Sequence, residues 1–272
     1  MELVKRVGSA VVFLPLFVLL VGRGPRWGFA LLVLAVAMVG QWEFYRMVKA
    51  AGIEVNRPVA LLIGVALLVG FYAPWPWMLS LLLSLGVAGL LLSGWQSVAH
   101  SAIPGLGGPG GPALGLLGAL YVSWLLGHLL WLRALPHGVQ LIFLLVLVTW
   151  GSDASAYLTG SILGRHQLCP VVSPKKTVEG ALGGLIGAVA ATLLARVWFY
   201  EDLPVIHAVA VGALLGILGL FGDLSESALK RSAGVKDTGN LIPGHGGLLD
   251  RIDSLLFTSP ALYYYAHLLM GE

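Results

Sequence analysis

Charged residues and cysteine are scarce in this sequence. Of its 272 residues only 11% are charged and 58% are hydrophobic, against about 25% and about 45–50% in ordinary soluble domains. No Asp, Glu, Lys or Arg occurs from Pro58 to Leu132. That stretch is too long for a soluble core, because a bilayer-spanning helix takes about 20 apolar residues. The composition therefore predicts an integral membrane protein.

These scarcities also exclude several kinds of site. The one cysteine, Cys169, rules out an internal disulfide and a zinc site built on cysteine pairs. The 16 Lys and Arg residues exceed the 13 Asp and Glu residues by only three. Charges so sparse do not form a nucleic-acid-binding surface, so we expect no nucleic-acid partner.

Nine apolar runs end at charges or at clusters of Gly and Pro, and each predicts a membrane-spanning helix. They cover approximately residues 7–22, 27–45, 58–73, 77–95, 112–132, 138–162, 179–200, 204–228 and 252–270. The first run is interpreted as a span and not as a signal peptide, because no small-residue cleavage motif follows it. The predicted fold is an all-α, polytopic membrane protein with about nine transmembrane helices.

The positive residues predict the orientation of these spans. Twelve of the 16 Lys and Arg residues fall on one side when alternate loops are counted together. Cytoplasmic loops carry the excess of Lys and Arg. We therefore expect the N-terminus and the loops near 163–178 and 229–251 to be cytoplasmic, and the C-terminus to lie outside.

The first half of the chain offers little polar chemistry. Glu43 and Arg46 lie three residues apart on the second predicted helix and are interpreted as a structural ion pair. A functional role is the alternative, because charges inside a membrane are costly.

Polar residues appear at or inside the ends of apolar runs from residue 151 onward. Such positions are candidates for function. Three clusters stand out: Ser152 with Asp153 in the sixth run, residues 173–180 ahead of the seventh, and residues 223–253.

Spacing organises the third of these clusters. Spacings of three and four residues put Asp223, Glu226, Ser227, Lys230 and Arg231 on one face of a helix.

A glycine-rich turn follows that helix, with His245 between two glycines. Lys236 and Asp237 precede this turn. Asp250 and Asp253 then point two carboxylates the same way at the start of the last helix, with Arg251 beside Asp250.

Acidic and basic residues of these clusters suit a metal-assisted reaction on phosphates. Mg²⁺ is typically bound by one or two carboxylates plus substrate phosphates, which suits Asp223, Asp250 and Asp253. Phosphates in turn require cations. The cations on the predicted cytoplasmic face are Lys175, Lys176, Lys230, Arg231, Lys236 and Arg251. The pattern indicates phosphoryl or nucleotidyl transfer, and the alternative is a positive cytoplasmic flank with structural ion pairs.

Residues 227–253 read SALKRSAGVKDTGNLIPGHGGLLDRID. This segment resembles the signature of phosphatidate cytidylyltransferases, also called CDP-diacylglycerol synthases. Residues 173–180 (SPKKTVEG) and 153–157 (DASAY) also resemble that family, although Val178 and Ser155 depart from its pattern. The resemblance covers roughly residues 145–270.

The resemblance implies transfer of a cytidylyl group from CTP to phosphatidic acid in a membrane, with Mg²⁺ required. It leaves open a second metal or a monovalent cation. The implied metal ligands are Asp223 and Asp250, followed by Asp253 and Asp153. The implied catalytic residues are Asp223, Lys230, Arg231, Asp250 and Asp253. Substrate contacts are implied for Ser173, Lys175, Lys176, Thr177, Glu179, Ser227, Lys236, Asp237, His245 and Arg251, with Lys175, Lys176 and Arg231 on the CTP phosphates.

The expected organisation is a scaffold of about five spans in residues 1–137 and a catalytic domain of about four spans in residues 138–272. We expect a bacterial inner membrane as the location and a homodimer as a further association. Three alternatives stay open: a transferase acting on an isoprenoid lipid phosphate, a CTP-dependent lipid kinase, and a membrane transporter, which would also need charges at helix breaks.

Overall fold

The computed structural model describes residues 15–73, 78, 110–239 and 246–271. Helices dominate this part of the chain. They are α1 (Arg26–Ala50), α2 (Arg57–Tyr72), α3 (Gly110–Ala134, π-helical over Ala119–Trp124), α4 (Gly138–Leu163), α5 (Val178–Trp198), α6 (Val205–Ser232) and α7 (Leu249–Tyr265, continued by a π-helical turn over Ala266–Met270). Residues 15–23 are also helical, and strands β1 (Gln167–Cys169) and β2 (Ser173–Thr177) lie between α4 and α5.

Five of these helices, α1, α3, α4, α5 and α6, are long and apolar enough to cross a membrane. They confirm the prediction of an all-α, polytopic membrane protein. The count of nine spans is not confirmed, because most of the predicted span 77–95 and the start of span 7–22 lie outside the described residues. Helix α2 is apolar but has only 16 residues.

Side-chain caps explain where two of the helices begin. The Asn56 side chain accepts a hydrogen bond from the backbone N–H of Val59 at 3.3 Å, and Pro58 follows in the first turn of α2. Thr177 Oγ1 does the same for the N–H of Gly180 at 3.0 Å at the start of α5.

The described chain forms two compact units. The first contains residues 1–130 and 232–251, and the second contains residues 131–231 and 252–272. The division into a scaffold of residues 1–137 and a catalytic domain of residues 138–272 stays a prediction. The described residues of 232–251 belong with the N-terminal helices, and the backbone N–H of Leu249 bonds to the Glu43 side chain of α1.

A buried polar network joins the helices of the first unit. Gln41 Nε2 donates to the Ala60 carbonyl at 2.8 Å and to the Tyr45 hydroxyl at 2.6 Å. Ser123 Oγ donates to Gln41 Oε1 at 3.0 Å, and the Tyr45 hydroxyl donates to the Gly115 carbonyl at 2.7 Å. Helices α1, α2 and α3 are thus connected by buried side-chain hydrogen bonds.

In the second unit, α4 and α5 run antiparallel in close contact. Ser152 Oγ on α4 donates to the Gly184 carbonyl on α5 at 3.1 Å. Small residues let the two backbones approach, as is common between membrane helices. Exposed apolar side chains such as Ile162 and Ile186, 76% and 70% exposed, cover the outer surface of this pair and suit contact with lipid.

Helix α7 from residue 252 onward contacts α6 at two points. Ser254 Oγ donates to the Gly219 carbonyl at 3.2 Å. A Cβ on Gly222 would lie 2.5 Å from the Asp253 carbonyl oxygen, so only glycine fits there. This contact fixes the Asp253 backbone beside the turn of α6 that carries Asp223.

Candidate active site

A β-hairpin replaces the plain loop that the sequence predicts between α4 and α5. Strands β1 and β2 are antiparallel, and Gln167 pairs with Thr177 and Cys169 with Ser173. Strand β2 carries Lys175, which is exposed, and Lys176, which is half-buried. The hairpin therefore presents both lysines from a hydrogen-bonded strand.

Glu179 fixes this hairpin to the start of α5. Its Oε2 accepts hydrogen bonds from the backbone N–H groups of Arg165 and His166 at 3.1 and 3.3 Å. Its Oε1 lies 2.6 Å from His166 Nδ1. Through these bonds Glu179 stabilises the hairpin. The contact of Glu179 with substrate that the resemblance implies stays a prediction.

A cavity of about 490 Å³ lies among α4, the hairpin, α5 and α6. Its volume falls within the range of about 300–1,000 Å³ typical of small-molecule sites. Six of the predicted site residues line it: Asp153, Ser173, Lys175, Lys176, Thr177 and Asp223. The fold thus brings together side chains that are up to 70 positions apart in the sequence.

Acidic residues outnumber cations at the α6 side of this cavity. Lys176 Nζ lies 2.5 Å from Asp223 Oδ2, and Ser227 Oγ donates to Asp223 Oδ1 at 3.4 Å. Asp253 interacts electrostatically with Asp223, with Asp153 and with Lys176. Asp223, Asp153 and Asp253 thus place three acidic side chains near Lys176, and their oxygen atoms can serve as ligands of a hard cation.

These donors fit Mg²⁺ bound together with a nucleotide. Within the described ranges, no three acidic, histidine or cysteine side chains form a preformed metal cage. Mg²⁺ does not require one, because it is usually held by one or two carboxylates, water and substrate phosphates. The oxygen donors of Asp223, Asp153 and Asp253 match that requirement.

Two other predicted basic residues of the second unit already have partners. Lys230 Nζ lies 2.5 Å from Glu226 Oε2 one turn earlier on α6, and both side chains are largely buried. Arg231 Nε donates to the Val172 carbonyl in the hairpin turn at 3.3 Å. Arg231 thereby ties the end of α6 to the hairpin.

The described signature residues from 236 to 251 lie in the first unit, on the segment before α7 and on the first turn of α7. Asp250 Oδ2 accepts three hydrogen bonds: from Thr238 N at 3.2 Å, from Thr238 Oγ1 at 2.9 Å and from Gly247 N at 2.8 Å. Lys236, Asp237 and Arg251 are exposed. His245 lies outside the described residues.

Glu43 is the functional candidate that the sequence interpretation assigned differently. Its carboxylate is 2% exposed and accepts a hydrogen bond from Leu249 N at 2.8 Å, and Thr238 Oγ1 lies 3.4 Å away. It makes these contacts instead of the predicted pair with Arg46, whose side chain is exposed. Glu43 is about 200 positions from Thr238 and Leu249 in the sequence, so local spacing does not predict these contacts. The only sequence feature that marks Glu43 as a candidate is its carboxylate within an apolar helix, which is costly in a membrane.

Comparison with known proteins shows the family of this chain. The sequence profile of the cytidylyltransferase family matches residues 4–269. The chain is 35% identical over 294 residues to the phosphatidate cytidylyltransferase of Synechocystis sp., which covers 98% of this chain and 97% of that protein. It is 41% identical over 149 residues to the phosphatidate cytidylyltransferase of Bacillus subtilis, or 54% of this chain and 55% of that protein.

A third relative has no assigned activity. The uncharacterized protein YnbB of Escherichia coli is 36% identical over 255 residues, which span 89% of this chain and 80% of YnbB.

The fold and the site define a polytopic membrane enzyme of the nucleotidyltransferase class. The chain belongs to the cytidylyltransferase family.

Proposed function

We propose that this protein transfers CMP from CTP to phosphatidic acid, with Mg²⁺, to give CDP-diacylglycerol and pyrophosphate for phospholipid synthesis. The observation that supports this proposal most is the cavity that combines Lys175 and Lys176 with Asp153 and Asp223. The near full-length similarity to a phosphatidate cytidylyltransferase supports the choice of substrates.

The chemistry requires little proton transfer. The acceptor is a phosphate monoester whose second pKa is about 6, so it is largely a dianion at neutral pH and needs no general base. One of its oxygens attacks the α-phosphorus of CTP, a new P–O bond forms, and the bond to the β-phosphate breaks to release pyrophosphate. The barrier comes from bringing two polyanions together, so charge neutralisation and alignment carry the catalysis.

The proposed roles follow from charge. Lys175 and Lys176 bind the triphosphate, and we expect Lys176 to exchange Asp223 for a phosphate oxygen when CTP enters. Asp223, Asp153, Asp253 and Asp250 are the proposed metal ligands. Bound Mg²⁺ would neutralise the triphosphate and the pyrophosphate leaving group.

Phosphatidic acid stays in the bilayer, because a lipid with two chains does not leave it cheaply. The polar cavity must therefore be reachable from the membrane as well as from water. We also propose that this site faces the cytoplasm, where CTP is found, as the distribution of Lys and Arg indicates.

The test uses the full chain purified in detergent and supplied with CTP, phosphatidic acid and Mg²⁺. Pyrophosphate release and lipid-linked CMP are measured together, with EDTA as the metal control. We expect equal amounts of both products, and none with EDTA. If product forms only with polyprenyl phosphate, the acceptor substrate is an isoprenoid lipid phosphate and not phosphatidic acid. A folded protein that releases no pyrophosphate with either acceptor would refute the proposal.

A further inference from the structure

A buried carboxylate of α1 contacts the segment that carries Asp250. Glu43 lies in the last third of helix α1 and is 2% exposed. Burying a carboxylate costs several kcal/mol even after relaxation, so apolar packing alone does not explain it. Its partners within the first unit show what it does.

The first partner is the start of α7. The N–H groups of the first helical turn have no acceptor within their own helix. Glu43 Oε2 accepts one of them, from Leu249 at 2.8 Å. A carboxylate is favoured at this position because the helix dipole is positive at its N-terminus. Glu43 therefore fixes the backbone one residue before Asp250.

The second partner is Thr238, which lies between two carboxylates. Its Oγ1 is 2.9 Å from Asp250 Oδ2 and 3.4 Å from Glu43 Oε2. A hydroxyl has one proton to donate, and the shorter distance assigns it to Asp250. Glu43 Oε2 thus lies against the Thr238 hydroxyl, and Thr238 holds Asp250 Oδ2 by its N–H and its hydroxyl.

Two glycines show how closely this segment surrounds Glu43. A Cβ on Gly239 would lie 2.5 Å from Glu43 Oε1, and a Cβ on Gly247 would lie 2.6 Å from Glu43 Oε2. Gly247 also donates its N–H to Asp250 Oδ2 at 2.8 Å. Both sides of the segment are therefore packed on the one carboxylate.

We propose that Glu43 is a positioning residue that sets the orientation of the Asp250 carboxylate. This inference rests on the proposed function, in which Asp250 is a metal ligand. Residues that orient a metal ligand from behind typically change metal affinity or activity about 10–100-fold when they are replaced. Glu43 holds the helix turn that carries Asp250, and it lies against the threonine that bonds to Asp250.

Glu43→Leu and Glu43→Gln test the proposal in the detergent-purified full chain. Binding of Mn²⁺, followed by electron paramagnetic resonance without substrates, is measured beside the Mg²⁺ concentration for half-maximal activity. We expect Glu43→Leu to weaken both about 10–100-fold. Glu43→Gln should recover most of the loss, because its amide oxygen still accepts the Leu249 N–H.

The matched control is Gln41→Leu, also a buried polar residue of α1, whose partners are Tyr45, Ala60 and Ser123. We expect it to lower the melting temperature while leaving Mn²⁺ binding unchanged. A merely structural Glu43 would behave in the same way. Glu43→Leu with wild-type Mn²⁺ affinity therefore overturns the proposal.

If Glu43→Leu does not fold, the test uses Thr238→Val and Glu43→Ala, which also removes the acceptor of the Leu249 N–H. Thr238→Val removes the hydroxyl that bonds to Asp250 and should weaken Mn²⁺ binding, and unchanged binding in both variants overturns the inference. Wild-type protein that neither binds Mn²⁺ nor forms product refutes the proposed function itself, so the two failures are distinguishable.

Discussion

Replacing Gly222 by alanine tests whether the α6–α7 contact sets the geometry of the acidic cluster. The new Cβ would lie 2.5 Å from the Asp253 carbonyl oxygen and 3.1 Å from Ser254 Cα, whereas ordinary contacts begin at 3.4 Å. The obstacle is backbone, so α7 has to move away from α6 by close to 1 Å. Asp253 would move with it, away from Asp223.

The expected effect on activity is large, and the effect on stability is small. A misplacement of about 1 Å at a site can lower the rate about 100-fold. Overpacking costs about 1–3 kcal/mol, and replacing a helical glycine by alanine returns about 0.8–1.0 kcal/mol. The net destabilisation is then about 0–2 kcal/mol, at about 2–4 °C of melting temperature per kcal/mol in proteins of 150–250 residues.

Gly219→Ala is the matched control, one turn earlier on the same face. Its Cβ would meet Ser254 Cβ and Thr258 Cγ2 at 3.7 Å, which is ordinary contact. Formation of CDP-diacylglycerol and melting by tryptophan fluorescence are measured for both variants. Gly222→Ala with wild-type turnover, or Gly219→Ala with an equal loss, would refute the reasoning.

Two further predictions concern charge at the cavity. Asp223→Asn should lower turnover about 1,000-fold, because a lost metal contribution of about 4 kcal/mol corresponds to three factors of ten. The control Asp202→Asn, at an exposed residue, should leave turnover unchanged. Near-normal turnover of Asp223→Asn at saturating Mg²⁺ would remove Asp223 from the site. Lys175→Ala should raise the KM for CTP more than the KM for phosphatidic acid. The control Lys49→Ala, at an exposed ion pair with Glu54, should change neither KM. Equal increases of the two KM values in Lys175→Ala would contradict the assignment of Lys175 to the nucleotide.

The sequence predicts the described spans well because each one ends at unmistakable residues. Helix α4 begins at Gly138, as predicted, and ends at Leu163, one residue beyond the prediction. Glycine, proline and charged residues mark these ends, and the lipid environment forces the intervening backbone into helix. Six predicted site residues also meet at one cavity, since helices bring the ends of distant segments together.

The hairpin could not be predicted in the same way. Strand β1 has three residues, too few for a recognisable alternation, and β2 contains Pro174 and two lysines. Proline and lysine are unfavourable signals for a strand. What stabilises the hairpin is the set of bonds to Glu179, which depends on the folded backbone and not on a local pattern.

The role of Glu43 is hidden for a related reason. Its nearest charged neighbour in sequence, Arg46, suggests a local pair, whereas its partners Thr238 and Leu249 follow about 200 residues later. Periodicity reports which residues share a helix face, and it contains no information about which distant segment lies against that face.

The network centred on Gln41 has a consequence for how the first unit assembles. Helix α1 leaves the ribosome before α2 and α3, so the Gln41 amide enters the membrane before Ala60 and Ser123 exist to bond with it. Until α2 and α3 have inserted, the Gln41 amide lacks these hydrogen-bond partners, and its burial in lipid costs free energy. After α2 and α3 have inserted, sliding either helix along α1 by one residue would break hydrogen bonds of Gln41 that lipid chains cannot replace. The hydrogen bonds of Gln41 therefore specify one register of the three helices.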